Sequence, residues 1–89
     1  MNMHRIEKMK TKFGNDSKDQ VIVHYEAMSE FVSYGTAIAR IDQGKVTLDR
    51  NYWDYSATTG QYRNEFLGEG IADTRKKIKD GTYALADLS

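Results

Sequence analysis

The stretch from Gln20 to Arg50 constrains the fold most. Apolar and polar residues alternate along much of it at a period of two, broken by turn formers. That is the pattern of strands that bury one face. "QVIVHYEA" at 20–27 is the clearest strand, because Val21, Ile22, Val23 and Tyr25 are β-branched or aromatic and suit a pleated surface. Met28-Ser29-Glu30 reads as a turn. "FVSYGTAIARID" at 31–42 reads as one strand, with Ala37, Ala39 and Ile41 alternating with Ile38 and Arg40. Gly35 interrupts it, the usual mark of a bulge or a close backbone approach. Asp42-Gln43-Gly44-Lys45 is a tight turn, in which Gly44 is free to take positive φ. "KVTLDR" at 45–50 alternates again, Val46 and Leu48 inward. Residues 20–50 therefore predict a three-stranded antiparallel meander.

An open sheet of three strands leaves its apolar face wet and needs a cover. The following residues predict one. Thr58-Thr59-Gly60-Gln61 has the spacing of a capping box, with Ser56 as the alternative cap. Tyr62 and Phe66 then share a helical face, and Gly68 suits the C-terminal stop. A helix over 58–67 follows. A second, over 70–80, carries Ile71, Thr74 and Ile78 on one face and ends at Gly81. The cations Arg75, Lys76, Lys77 and Lys79 crowd its C-terminal half, where they suit the helix dipole. "TYALADL" at 82–88 reads as a short strand on the sheet edge.

Residues 1–13 admit two readings. Met3, Ile6, Met9 and Phe13 form a helical stripe, while Met9, Thr11 and Phe13 would share one face of a strand. "GNDSKD" at 14–19 is a loop. The expected fold is α+β: a small antiparallel sheet of three to four strands, covered by two C-terminal helices, with an N-terminal helix or arm. Eighty-nine residues predict one domain, divided as 1–19, 20–50, 51–81 and 82–88.

Thirteen residues of each sign leave no net charge, which argues against both a nucleic-acid binder driven by global charge and an acidic mimic. The same balance mildly favours self-association. There is no cysteine, hence no disulfide framework and no thiolate zinc site. No apolar run is long enough to span a membrane, and an intracellular setting is expected.

The chain carries no recognised nucleophile or phosphate-loop pattern. His4 and His24 lack neighbours at metal-ligand spacing. Carboxylate pairs such as Asp54 with Glu65, or Asp49 with Asp54, are expected by chance in so acidic and basic a chain. Neither an enzyme nor a cofactor or metal site is therefore expected. Binding is the better fit. Arg50, Tyr52, Trp53, Tyr55, Tyr62 and Arg63 interleave basic and aromatic groups, a composition that stacks bases and meets phosphate. Asp49, Asp54 and Glu65 among them oppose that use, and Trp53 is well suited to fill a small core. Tyrosine, tryptophan and arginine are also the residues of protein-binding hot spots. Six tyrosines, Tyr34 among them, exceed what so small a core can bury.

"SYGTAIARI" (33–41), "GKVTLD" (44–49) and "YWDYSATTGQYRNEFL" (52–67) together resemble a group of small uncharacterised bacteriophage proteins, classed as a domain of unknown function. Ser33, Tyr34, Thr36, Ile38, Ala39, Tyr55, Ser56, Thr58, Thr59, Tyr62, Phe66 and Leu67 carry the match. Tyr62 stands where many of those proteins have histidine. The resemblance implies a phage or prophage protein working in the cytoplasm of a bacterial host. It implies no reaction, cofactor or ligand. The expected function is that of a non-enzymatic accessory protein that binds a host or phage macromolecule, foremost a protein, as an inhibitor of host defence. The expected contact residues are Tyr34, Arg50, Tyr52, Trp53, Tyr55, Tyr62 and Arg63. The alternative is a nucleic-acid-binding module using the aromatic and basic patch.

Overall fold

A computed structural model describes residues 3–88. Six strands form one sheet in sequence order: β1 (Met3–Lys10), β2 (Asp16–Tyr25), β3 (Met28–Ser33), β4 (Thr36–Asp42), β5 (Lys45–Asp49) and β6 (Ala84–Ala86). Each pair from β1 to β5 is antiparallel, and β6 joins β5 in parallel. Between β5 and β6 the chain makes two helices, α1 (Ala57–Leu67) and α2 (Ile71–Lys79). A parallel neighbour cannot be reached by a tight turn, so the helical crossover is a requirement of the topology. The α+β class expected from the pattern holds, with six strands in place of three or four.

Two differences produce the extra strands. The segment expected as one strand over 31–42 is a hairpin. Tyr34 (φ 51°) and Gly35 (φ 78°) both take left-handed backbone and close a two-residue turn between β3 and β4. Consecutive positive φ values match the right-handed twist of the flanking strands, which is why such turns close hairpins. The bulge lies further on. Phe31 faces Ala39 and Val32 faces Ala37, leaving Ile38 as the additional residue. It brings Ile38 and Ala39 into the core together, both fully buried.

The second difference is the N-terminal segment, which is strand β1 and not a helix. Its first two residues lie outside the described ones. A helical stripe of Met3, Ile6, Met9 and Phe13 would need a surface to cover it. In the sheet only Met9 is buried, and Met3, Ile6 and Phe13 stay exposed. Pairing with β2 satisfies backbone groups that a short, half-charged helix would hold poorly. The loop expected over 14–19 is correspondingly shorter, since β2 begins at Asp16, and Met28-Ser29-Glu30 is strand.

The helices cover one face. Phe31, Ile38, Ala39 and Leu48 form the floor of the core, and Tyr62 and Tyr83 close it. Phe66 of α1 packs on Phe31 with ring centroids 5.9 Å apart. The Ser33 and Thr59 hydroxyls, both fully buried, hydrogen-bond each other at 2.8 Å and pin the start of α1 to the end of β3. Ser56 is the N-cap: its Oγ accepts from the Thr59 N–H at 3.1 Å. The alternative cap is thus the one used, in place of Thr58, and its loss would cost about 1 kcal/mol. Gly68 ends α1 in left-handed backbone, as its place after Leu67 predicts. Glu69 then bolts α2 to the chain entering β6. Its carboxylate accepts from the Thr74 hydroxyl (2.6 Å), the Tyr83 hydroxyl (2.9 Å) and the Lys77 ammonium.

Candidate binding surface

Three connections meet at one end of the sheet. They are the β1–β2 loop (11–15), the Tyr34-Gly35 turn and the segment 50–56 that leads from β5 into α1. The Tyr34 N–H bonds the Asp19 carbonyl at 2.8 Å, which ties the second connection to the start of β2. Among the described residues the exposed aromatics all belong to this end. Phe13 is 79% exposed, Tyr34 53%, Tyr55 45% and Tyr52 44%.

The segment 50–56 is held from within. Asp49, 2% exposed, accepts through Oδ2 from the N–H groups of Asn51 (3.1 Å) and Tyr52 (2.9 Å). Its Oδ1 accepts from the Leu88 N–H at 2.8 Å, so one carboxylate shapes this loop and retains the end of the chain. Arg63 supplies the second hold. Its guanidinium, 2% exposed, donates to the Trp53 carbonyl (2.8 Å), to Asp54 Oδ1 (3.1 Å) and to Asn64 Oδ1 (2.9 Å). It also lies 5.3 Å from the centre of the Trp53 ring, a cation–π distance. Gly60, one helical turn earlier, leaves room for it: a Cβ there would sit 3.4 Å from Arg63 Nη2. Asp54 Oδ2 receives a further hydrogen bond from Arg75 at 3.3 Å.

These contacts sort the expected site residues. Tyr34, Tyr52 and Tyr55 are exposed at the same end, and Tyr52 and Tyr55 stack edge to face with centroids 5.6 Å apart. Arg50 is exposed beside them, paired with Asp87 at 3.1 Å. Trp53 is half-buried against the core. Tyr62 and Arg63 are buried, each reaching solvent only along the wall of a groove beside α1. Arg63 acts instead as the clamp that presents its neighbours, because a buried guanidinium must be bonded on its own chain. The basic and aromatic patch expected of a nucleic-acid binder therefore loses two of its members to the interior. Phe13 is the surface aromatic that the sequence reading missed. Its signal was present: a Phe directly before Gly14-Asn15 sits in a turn, where an aromatic has no core to fill.

Two open grooves flank the first turns of α1. One, of about 700 Å³, runs past Asp54, Tyr55, Ser56, Asn64 and Ile71. The other, of about 430 Å³, lies between Phe13, Thr58 and Tyr62. Gln61 lines both. Asp54, the acidic group that lines the first, already holds Arg63 and Arg75. His24 lies apart, bonded to Glu7 (2.8 Å) and Ser29 (3.2 Å). No cluster of three or more His, Cys, Asp or Glu suited to a metal ion occurs among the described residues.

A family model described as a family of unknown function, DUF8033, matches residues 1–82. The chain belongs to that family. The match spans the sheet through β5, both helices and the three connections that carry the exposed aromatics. No curated protein and no solved structure matches the chain.

Proposed function

We propose that this DUF8033 domain is a non-enzymatic binding module, and that its partner is a protein. The single observation that carries the reading is the gathering of Phe13, Tyr34, Tyr52 and Tyr55 as exposed rings on three connections at one end of the sheet. Exposed aromatics grouped on a rigid frame supply large contact area at small entropic cost. Tyr34 strengthens the point. A bulky residue with φ of 51° is strained by about 1–2 kcal/mol, and its ring, being exposed, gains little from packing in return.

The resemblance to small phage proteins supports a narrower setting, the cytoplasm of a bacterial host, with a host-defence protein as the partner to be inhibited. The test is affinity capture from host lysate with the wild-type chain and with a Tyr34→Ser/Tyr52→Ser/Tyr55→Ser variant shown by circular dichroism to be folded. A specific protein retained by the wild type and lost by the variant is expected. Capture of nothing above background, or equal capture by both, rejects the proposal. Trp53, the sole tryptophan, reports on the alternative. Quenching of its fluorescence by oligonucleotides, weakening steeply with salt, would replace a protein partner with a nucleic acid.

A further inference from the structure

β1 ends the strand order, so among the described residues one of its two backbone edges has no strand beside it. It is an eight-residue strand without proline, irregular near both ends, where its register with β2 shifts, and regular over Arg5–Lys8 around Ile6. The opposite edge strand, β6, has only three residues. A long free edge is a template for another strand. Charges usually guard such an edge, and they do so when like charges meet across the new pairing. The charges of β1 are of both signs: Arg5 and Glu7 flank Ile6 on the other face, 3.7 Å apart as a loose pair within the strand, with side chains 64% and 48% exposed. Ile6 itself is 54% exposed.

We propose that two copies of this chain associate through their β1 edges, antiparallel and with Ile6 on the two-fold axis. In that register Arg5 of each copy lies opposite Glu7 of the other, and Ile6 meets Ile6. Opposed side chains in an antiparallel pair approach within about 5 Å, close enough for both kinds of contact. A two-fold axis normal to the sheet pairs only residues that share a face, so the axis must pass through a residue and not between two. The neighbouring registers are worse. An axis on Arg5 or on Glu7 opposes that residue to itself. The charges therefore select one register, as an edge interface requires. The arrangement is isologous and closed, and it joins two six-stranded sheets into one of twelve. With no net charge on the chain, global repulsion does not oppose it. The axis also sends the two aromatic ends in opposite directions, so the pair presents two separate contact surfaces. The proposal is independent of what those surfaces bind.

Sedimentation velocity on the full chain, up to several hundred micromolar, tests it. The mass should rise from 10.2 kDa towards twice that value. Arg5→Glu and Glu7→Arg each create two like-charge contacts across the axis and should raise the dissociation constant at least about tenfold. The double variant restores both pairs and should dimerise again. So should an equal mixture of the two single variants, as a heterodimer. Because the chain has no cysteine, Ile6→Cys introduces its only thiol. Mild oxidation should link it to its counterpart, whereas Lys8→Cys should stay unlinked. Glu7 also bonds His24; should Glu7→Arg fail to fold, Arg5→Glu and Ile6→Cys still decide. A wild-type chain that remains at monomer mass throughout, or association unaffected by Arg5→Glu, overturns the proposal.

Discussion

The two turns that flank β4 have the same backbone and different side chains. Tyr34-Gly35 closes one with φ values of 51° and 78°, and Gln43-Gly44 closes the other with 52° and 81°. Each turn needs glycine at its second position, where left-handed backbone carries no steric cost. Neither needs an aromatic at its first. At the Gln43 end the position is filled by an exposed polar residue, and the aromatic that lines the same cleft, Tyr25, is half-buried. At the Tyr34 end the same strained position holds a large exposed ring, at the end of the sheet that carries the three other exposed rings. What differs between the two ends is therefore not the requirement of the fold. The comparison marks the aromatic end as the place where exposed rings are present that the turn geometry does not require.

Removing the clamp should break this contrast most severely. Arg63→Ala would leave Asp54 Oδ1, Asn64 Oδ1 and the Trp53 carbonyl without the Arg63 donor and should cost about 3 kcal/mol in urea denaturation. Amide exchange should quicken at 51–56 and stay unchanged at Gln43-Gly44. Equal loosening at both ends would show that the clamp is not local.

Acid should separate charge-held from backbone-held regions. Burial pushes the Glu69 carboxyl up, but its hydrogen bonds from Lys77, Thr74 and Tyr83 outweigh this and hold it below its ordinary value of 4.5. A lowered folded-state value means that this stabilisation is present above about pH 4.5 and is lost as pH falls through the lowered value. Glu69→Gln should cost about 1–2 kcal/mol at pH 7, and the gap between variant and wild type should close in acid. Urea midpoints from pH 7 to 3 give the answer; a gap that persists unchanged would remove the ionised carboxylate as the bolt.

The smallest effect on stability is the most informative about function. Asparagine tolerates left-handed backbone better than tyrosine or glutamine does. Tyr34→Asn and Gln43→Asn should each stabilise the chain by about 0.5 kcal/mol or leave it unchanged. Only Tyr34→Asn should weaken partner capture. Equal loss from both variants would dissolve the distinction between the ends.

The turns also show what could be read from the chain before it was folded. Asp42-Gln43-Gly44-Lys45 announces itself because its residues are polar and interrupt an alternating pattern. Tyr34-Gly35 does not, since a tyrosine among apolar neighbours continues the look of a strand. The helices and their glycine stop were legible through local chemistry. The choice between Ser56 and Thr58 as cap was not, because both hydroxyls suit the role and only docking against Ser33 selects the frame. Arg63 was misread for a similar reason. A charged residue reads as surface unless its partners are known, and two of the three, the Trp53 carbonyl and Asp54, lie ten and nine residues away. β1 was ambiguous because its apolar residues fit a helical stripe, while what decides the matter is β2 beside it.

The strand order has a consequence for how the molecule is assembled in time. From β1 to β5 every strand pairs with the one just made, so this part can form by successive local hairpins, which close quickly. The segment 50–56 has no such shortcut. It waits for Arg63 from α1 and for Leu88, which comes 39 residues after Asp49. The exposed rings of Tyr52 and Tyr55 therefore reach their final arrangement only when the last strand is in place, and a chain cut or stalled before β6 would hold most of its sheet while lacking a finished surface.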